Sequence, residues 1–471
     1  MVNILPWCYL YNISDGEKMI HTFKCLDQYL LLDVESGAVH VVDELIYDVA
    51  KLYQEMSSAQ IVEQLKIKYS VDDLHEAIDE LNQLKEQGQL CSQINNDELA
   101  EAVNRNKNVV KSMCLHIAHD CNLRCKYCFA STGDFHGERS LMPIEVAQKA
   151  IDFLMEHSGN RKHLEVDFFG GEPLMNFEVV KQTVAYGREQ EKKYGKTIRF
   201  TITTNGVLLN DDIMDFFNKE MSNVVLSIDG RPEIHNQMRK TVNGKPSFDI
   251  VAQNSLKIAN ARKQNNYYVR GTFTANNLDF ADDVKFLSDY GFKQLSMEPA
   301  VTDPSEDYTL TEEHLEKIYD EYERLARLYL ERRGTDKEFN FFHFMLDLTG
   351  GPCLPKRVSG CGAGNEYVAI TPTGDIYPCH QFVGQEGFCM GSVMDNTFNT
   401  EMQAQFKRCS VLTKPECANC WAKYYCSGGC AANAQNYNGD IYKPYKMGCY
   451  TERKRVECAL AIMAILNADK E

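Results

Sequence analysis

Between Val110 and Met297, six short runs of β-branched and apolar residues alternate with amphipathic stretches of helix length. The runs are Val110–Ile117, Leu164–Phe169, Ile198–Thr203, Val224–Ile228, Tyr267–Thr274 and Gln294–Met297. Stretches such as Pro143–His157, Glu178–Tyr194 and Val251–Lys263 carry the helical period between them. Strands that each return through a helix lie parallel, with right-handed crossovers, so an α/β class with a parallel sheet is predicted. Six units fall short of a closed eight-fold barrel. Function in such barrels gathers where strands end.

The first run ends just before Cys121-Asn-Leu-Arg-Cys125-Lys-Tyr-Cys128-Phe129. A CxxxCxxC loop offers three thiolates to an iron–sulfur cubane that needs four ligands, leaving one iron open. Taken alone, the triplet is equally a zinc half-site, although structural zinc favours paired CxxC knuckles. The second run ends in Gly170-Gly171-Glu172-Pro173-Leu174. There two glycines permit close backbone approach, and a carboxylate can accept from an ammonium group. Thr203-Thr204-Asn205-Gly206 ends the third run, Ser227-Ile-Asp229-Gly230 the fourth, and Met297-Glu298-Pro299 the sixth. Any one of these is an ordinary turn signal. Their recurrence at strand ends behind a CxxxCxxC loop is not.

Together these motifs and the six strand–helix units resemble the radical S-adenosylmethionine (SAM) enzymes, which implies a partial (β/α)6 barrel. The resemblance implies a [4Fe–4S] cluster on Cys121, Cys125 and Cys128, its open iron chelated by the amino and carboxyl groups of SAM. It assigns Gly170, Gly171, Glu172 and Pro173 to the SAM amino group. Thr204, Asn205, Ser227 and Asp229 fall to the ribose and carboxylate, and Phe129 and Met297 join the SAM contacts, Met297 on the adenine side.

A second constellation follows. Cys361 precedes Gly374 and Cys379, then come Cys417-x2-Cys420-x5-Cys426-x3-Cys430 and Cys449. Paired cysteines suit a zinc ribbon too. Behind such a barrel, however, the order resembles the SPASM extension of radical SAM maturases, which implies two auxiliary [4Fe–4S] clusters and three clusters in all. By resemblance Cys417, Cys420, Cys426 and Cys449 hold the outer one, and Cys361, Cys379 and Cys430 the inner one. Cys353 is either its fourth ligand or leaves that place to a substrate thiolate. Of eighteen cysteines, Cys8, Cys25, Cys91, Cys114, Cys389, Cys409 and Cys458 remain without metal spacing. Cys114, within the first strand, reads as a small buried hydrophobe.

No membrane-length apolar stretch or secretion signal is evident, and a thiol-rich chain of this kind is expected in a reducing cytoplasm. A formal charge of −17 disfavours nucleic acid and anionic membranes as partners. At 471 residues, several domains are expected.

Ahead of the barrel, Met19–Lys24, Tyr29–Val34 and Ala38–Val42 read as strands, the last two joined by Glu35-Ser36-Gly37. Asp43–Glu55, Ala59–Lys68 and Asp72–Glu86 read as helices, and in the third Leu74, Ile78, Leu81 and Leu84 make a core stripe. Strands followed by three helices resemble a small winged-helix domain. Six acidic residues against one lysine in Asp72–Glu86 argue against DNA. Peptide-modifying radical SAM enzymes carry such a domain to take up a leader peptide as an added strand. The implied organisation is a leader-recognition domain at 19–92, a linker at 93–111 and a barrel at 112–310. A helical bridge at 311–350, a SPASM domain at 351–450 and a C-terminal helix at 451–471 complete it.

Ile20–Lys24, Leu32–Glu44 and Gly360–Tyr367 further resemble the thioether-forming maturases of cysteine-rich SCIFF peptides, from Met19 onward. Trp7, Cys8 and the rest of the first eighteen residues receive no role. The resemblance implies that a ferredoxin- or flavodoxin-like donor reduces the first cluster, and SAM then splits to methionine and a 5′-deoxyadenosyl radical. That radical takes hydrogen from a substrate carbon, the α-carbon by preference, and a substrate cysteine sulfur bonds there. The auxiliary clusters remove the surplus electron. No catalytic base is identifiable; Asp229, Glu298 and His380 read equally well as SAM contacts or structural groups. Two alternatives stand: another radical SAM maturase, such as an anaerobic sulfatase maturase, and a zinc-binding winged-helix regulator.

Overall fold

The computed structural model describes residues 19–93, 101, 108–346 and 354–468. Trp7, Cys8, Cys353 and most of the expected linker lie outside the described residues.

The six barrel strands are Ser112–His119, His163–Gly170, Thr197–Thr204, Met221–Ser227, Tyr267–Phe273 and Gln294–Pro299. They pair in chain order and all in parallel. On the second strand Leu164, Val166 and Phe168 are fully buried toward the helices, while Asp167 and Phe169 face the lumen. This is the alternation a curved sheet demands. Register sets Asp167 beside Cys114 and Thr201, and Arg270 beside Ser227 and Ser296.

The sheet does not stop at six strands. Asn340–Phe341 pairs parallel with the sixth, and Tyr367–Ile370 pairs parallel with the first. Beyond Tyr367–Ile370 three short antiparallel strands continue to Thr397–Phe398. The cysteine-rich segment therefore grows out of the barrel sheet itself. The last helix, Lys446–Ala468, begins ahead of the expected boundary, so Cys449 lies on its first turn.

In the N-terminal unit, Ile20–Cys25, Gln28–Asp33 and Val39–Val42 form a three-stranded antiparallel sheet, followed by helices Glu44–Tyr53, Ser58–Leu65 and Val71–Glu86. Asp43 caps the first helix through the Ile46 amide, and Ser70 caps the third through that of Asp73. Leu74, Ile78, Leu81 and Leu84 are buried against Leu31, Val49 and Ile61. Each such side chain contributes about 2 kcal/mol on area grounds. Leu30 and Leu32, on the opposite face, join the main core with residues of the C-terminal helix. Among the described residues no helix is long and apolar enough to cross a membrane.

Candidate active site

The cysteine loop is shaped by a pairing that its sequence does not announce. Leu123–Cys125 forms a two-stranded ribbon with Arg239–Thr241, setting Arg239 directly opposite Cys125. Arg124 Nη1 donates to the Cys121 and Leu123 carbonyls, and the Cys128 amide closes a turn on Cys125 O at 3.2 Å. Cys121, Cys125 and Cys128 thereby line one cavity of about 630 Å³ in the barrel lumen. Burial pushes the Cys121 thiol up to about 12, with the Glu172 charge next in effect. It pushes Cys125 up to about 11, against the pull of Arg239. Desolvated thiols, two of them beside Arg239 and Arg124, suit a cationic iron–sulfur centre, which takes sulfur as thiolate.

Beside the loop, the Gly170–Gly171 turn is obligatory. A Cβ at Gly170, where φ is +124°, would stand 2.2 Å from Ala118 O, and one at Gly171 2.2 Å from Asp120 O. Glu172 follows, 1% exposed. Its Oε1 accepts from Thr204 Oγ1 at 2.7 Å and the Leu174 amide at 3.1 Å, and its Oε2 from the Asn205 amide at 2.8 Å. Burial outweighs these bonds and lifts its carboxyl to about 6. Asn205 Nδ2 in turn reaches Asn122 Oδ1 at 2.7 Å, tying the third strand to the cysteine loop.

Of the expected SAM contacts, Phe129, Gly170, Gly171, Glu172, Thr204, Asn205 and Ser227 line the cavity. Three do not. Pro173 is buried at the start of the turn Pro173–Asn176. Met297 is fully buried on the helix side, packed over Gly271, because alternation on its strand gives the lumen to Glu298. Asp229 lies behind the wall: it accepts from Tyr127 Oη at 2.6 Å and the Thr272 amide at 3.2 Å. Tyr127 Oη also accepts from Arg239 Nη1 at 2.8 Å. Asp229 therefore steadies two residues that do face the cavity, Tyr127 and Arg239.

Sequence reasoning missed several lumen residues: Asp167, Arg239, Arg270, Glu452 and Arg455. Arg455, from the C-terminal helix, donates to Glu298 Oε2 at 2.9 Å and also pairs with Glu452. Burial pushes the Glu298 carboxyl up, but His343 and Arg455 outweigh it and hold it down at about 2. Glu298 is thus engaged on one oxygen by Arg455 and lies 3.3 Å from His343 on the other. His380 lines the cavity beside the stacked Phe129 and Phe169 rings, its Nδ1 3.2 Å from Tyr367 Oη. Cys114 is fully buried in the first strand.

The remaining cysteines fall into two groups. Cys417, Cys420, Cys426 and Cys449 line a second, smaller cavity. Burial lifts Cys417 to about 11 and Cys426 to about 12, and Cys449 lies close enough to raise both further. Cys379, at the end of a strand and loop, is raised by burial and then by Cys430 and Cys361. Cys430 faces the main cavity together with Cys426 and Cys449. Among the described residues no three cysteine, histidine or acidic side chains converge on the position of one metal ion. Tetrahedral zinc gathers its sulfurs about 2.3 Å from one point. A cubane distributes its thiolates over separate irons and asks for wider spacing.

Comparison with known proteins agrees with this geometry. The radical SAM superfamily profile matches residues 115–287, and that of the SPASM iron–sulfur cluster-binding domain matches 361–421. The chain carries a radical SAM domain. That domain is followed by a SPASM domain, the order found in radical SAM/SPASM maturases. The radical SAM cyclopropyl synthase TigE of Paramaledivibacter caminithermalis is 23% identical, over 92% of either chain. A cysteine-type anaerobic sulfatase-maturating enzyme of Clostridium novyi is 26% identical, over 67% of this chain and 86% of its own. Among solved structures, native anSMEcpe with bound AdoMet and Kp18Cys peptide superposes with a TM-score of 0.63 at 22% identity, over 76% of this chain and 99% of its own. Streptococcus suis SuiB bound to S-adenosylmethionine gives 0.53 at 15% identity, over 93% and 100%.

Proposed function

We propose that this protein is a peptide maturase that joins cysteine sulfur to carbon in a cysteine-rich, ribosomally made precursor peptide. The observation that carries the reading is the single lumen onto which both the Cys121–Cys128 loop and Cys426, Cys430 and Cys449 open. A peptide segment there would lie between the SAM site and a second redox-active site. Cys121, Cys125 and Cys128 would hold the first [4Fe–4S] cluster. Cys361, Cys379 and Cys430 would hold the inner auxiliary cluster, and Cys417, Cys420, Cys426 and Cys449 the outer one. With SAM bound, the first cluster supplies a 5′-deoxyadenosyl radical, chemistry beyond any side chain here.

The protein's own share is positioning. Glu172, fixed by Thr204 and the Asn205 amide, would receive the SAM ammonium without rearranging. Arg239, held by Tyr127, offers a guanidinium beside Cys125 for the carboxylate. Phe129 and Phe169 give the lumen an apolar wall that excludes water from a radical. Among the described residues, Ile20–Cys25 and Val39–Val42 are the outer strands of the N-terminal sheet, where a leader segment would join as a further strand.

TigE aligns over nearly the whole chain, whereas the sulfatase-maturating enzymes align over about two thirds of it. That supports a leader-dependent peptide substrate over a sulfatase. The same likeness favours a second reading, carbon–carbon ring closure in a peptide.

Anaerobic incubation of the reconstituted protein, SAM and reductant with a cysteine-rich peptide encoded beside the gene tests both, with deoxyadenosine as control. Loss of two hydrogens per event with one cysteine newly resistant to alkylation supports the thioether. The same mass loss with every cysteine alkylated supports ring closure. Deoxyadenosine without peptide change refutes this peptide as substrate.

A further inference from the structure

The lumen holds two arginines in opposite situations. Arg455 is committed to Glu298, His343 and Glu452. Arg270, midway along the fifth barrel strand, is exposed to the cavity it lines, and its guanidinium makes no hydrogen bond or ion pair with any described residue. Thr272, its lumen neighbour on the same strand, does not compensate it. The groups whose charges it reaches are Asp167 and Glu298, His343 and His380. Glu298 is already bound twice, and Asp167 accepts from Thr201 Oγ1 at 2.8 Å while burial lifts its carboxyl to about 6. Neither is a dedicated counter-ion.

A guanidinium without a counter-ion is tolerable in a water-filled cavity. Once a peptide segment fills that space and displaces the water, it becomes an uncompensated charge unless the peptide brings an anion. Its planar fork binds carboxylate or a comparable anion with charge-assisted hydrogen bonds.

We infer that Arg270 is the receptor for an anionic group on the substrate residue carried into the lumen, either the thiolate of a donor cysteine or the carboxylate of an acidic acceptor. The inference rests on the peptide-maturase reading and narrows it. Arg270 makes the site selective for a segment bearing negative charge at one position, a requirement that no motif of the chain expresses.

Binding tests this without turnover. Fluorescein-labelled core peptides, identical except for Cys, Asp or Ser at one position, are titrated anaerobically into the reconstituted full-length protein. S-adenosylhomocysteine is present, at mildly alkaline pH, and anisotropy is read. The wild type should prefer Cys or Asp over Ser by roughly tenfold, the scale of one charge-assisted bond. Whichever residue wins identifies the anion. Arg270→Gln should erase the preference, and Arg270→Lys should keep most of it. In the wild type, sulfate should compete with the preferred peptide and not with the Ser peptide, a measurement that needs no variant to fold.

Equal binding of all three peptides by the wild type overturns the receptor and leaves the peptide reading standing. A preference that survives in Arg270→Gln overturns it as well. A parallel tenfold loss of S-adenosylhomocysteine affinity reassigns the guanidinium to the nucleoside. If no peptide binds, the inference falls together with the peptide reading.

Discussion

Glu35 joins the N-terminal sheet to the auxiliary cysteine loop, and its removal should be costly. Its Oε1 accepts from Lys423 Nζ at 2.6 Å and its Oε2 from Tyr424 Oη at 2.8 Å, and both side chains of the ion pair are 7% exposed. In Glu35→Ala, the Lys423 ammonium keeps the Ala418 carbonyl, 3.2 Å away, and the Tyr424 ring face, 5.1 Å from its centroid, but no carboxylate among the described residues. Breaking a buried pair from one side costs about 3–5 kcal/mol. A lysine stem can swing its head toward water, so about 3 kcal/mol is expected. Glu35→Ala with Lys423→Met removes the orphaned charge and should recover about 2 kcal/mol of that loss. Urea unfolding followed by circular dichroism measures the energies. Fluorescence locates the break, because Trp421 stacks on His21 at 3.8 Å between ring centroids, and the chain's other tryptophan is Trp7. In Glu35→Ala, Trp421 emission should move to the red at lower urea than the far-ultraviolet signal. A loss under about 1 kcal/mol, or a double variant no better than the single, would refute the argument that this ion pair docks the two units.

Three further outcomes follow from the site. Gly171→Ala forces a Cβ against Asp120 O; a loss of at least about 3 kcal/mol in urea unfolding, or insoluble protein, is expected. Burial raises the Asp167 carboxyl to about 6. Its neutral form is the one the fold favours, so the stability it contributes is complete below about pH 4 and is lost as pH rises through 6. Asp167→Asn should remove about 1–3 kcal/mol of that decline between pH 4 and 7, seen as a flatter profile of melting temperature against pH. Replacing Cys121, Cys125 and Cys128 together with Ala should lower bound iron by about four atoms per chain, leaving the auxiliary share, by iron and sulfide assay of reconstituted protein.

What could be read from the sequence was what chemistry writes locally. The cysteine triplet and Gly170-Gly171-Glu172 are contiguous, and the six strand runs carry their own period. All six appear as parallel neighbours within a few residues of their expected bounds. Met297 lies on the helix side because a strand-end motif does not state the phase of alternation, whereas Asp229, past its strand, is drawn back by Tyr127 and the Thr272 amide. A shift of one residue exchanges the lumen for the helix layer. Arg239 comes to Cys125 only through a ribbon between segments more than a hundred residues apart, and Arg270 and Asp167 are single polar residues with no local signature. The pairing of Tyr367–Ile370 with the first barrel strand was invisible for the same reason.

That pairing bears on how such proteins can be taken apart. Ser112–Leu115 has neighbours on both sides only while Tyr367–Ile370 is present, because Ser140–Leu141 pairs with the far end of that strand at Ala118 and His119. A chain cut ahead of the cysteine-rich segment would bare a row of unpaired amides and carbonyls along a strand whose residues beyond Ser112 are all buried. Bare edges of that kind recruit other chains. The cysteine-rich segment is consequently a poor unit for transplantation between scaffolds. Chimeras that exchange it should carry its barrel strand along, and natural recombination would meet the same constraint.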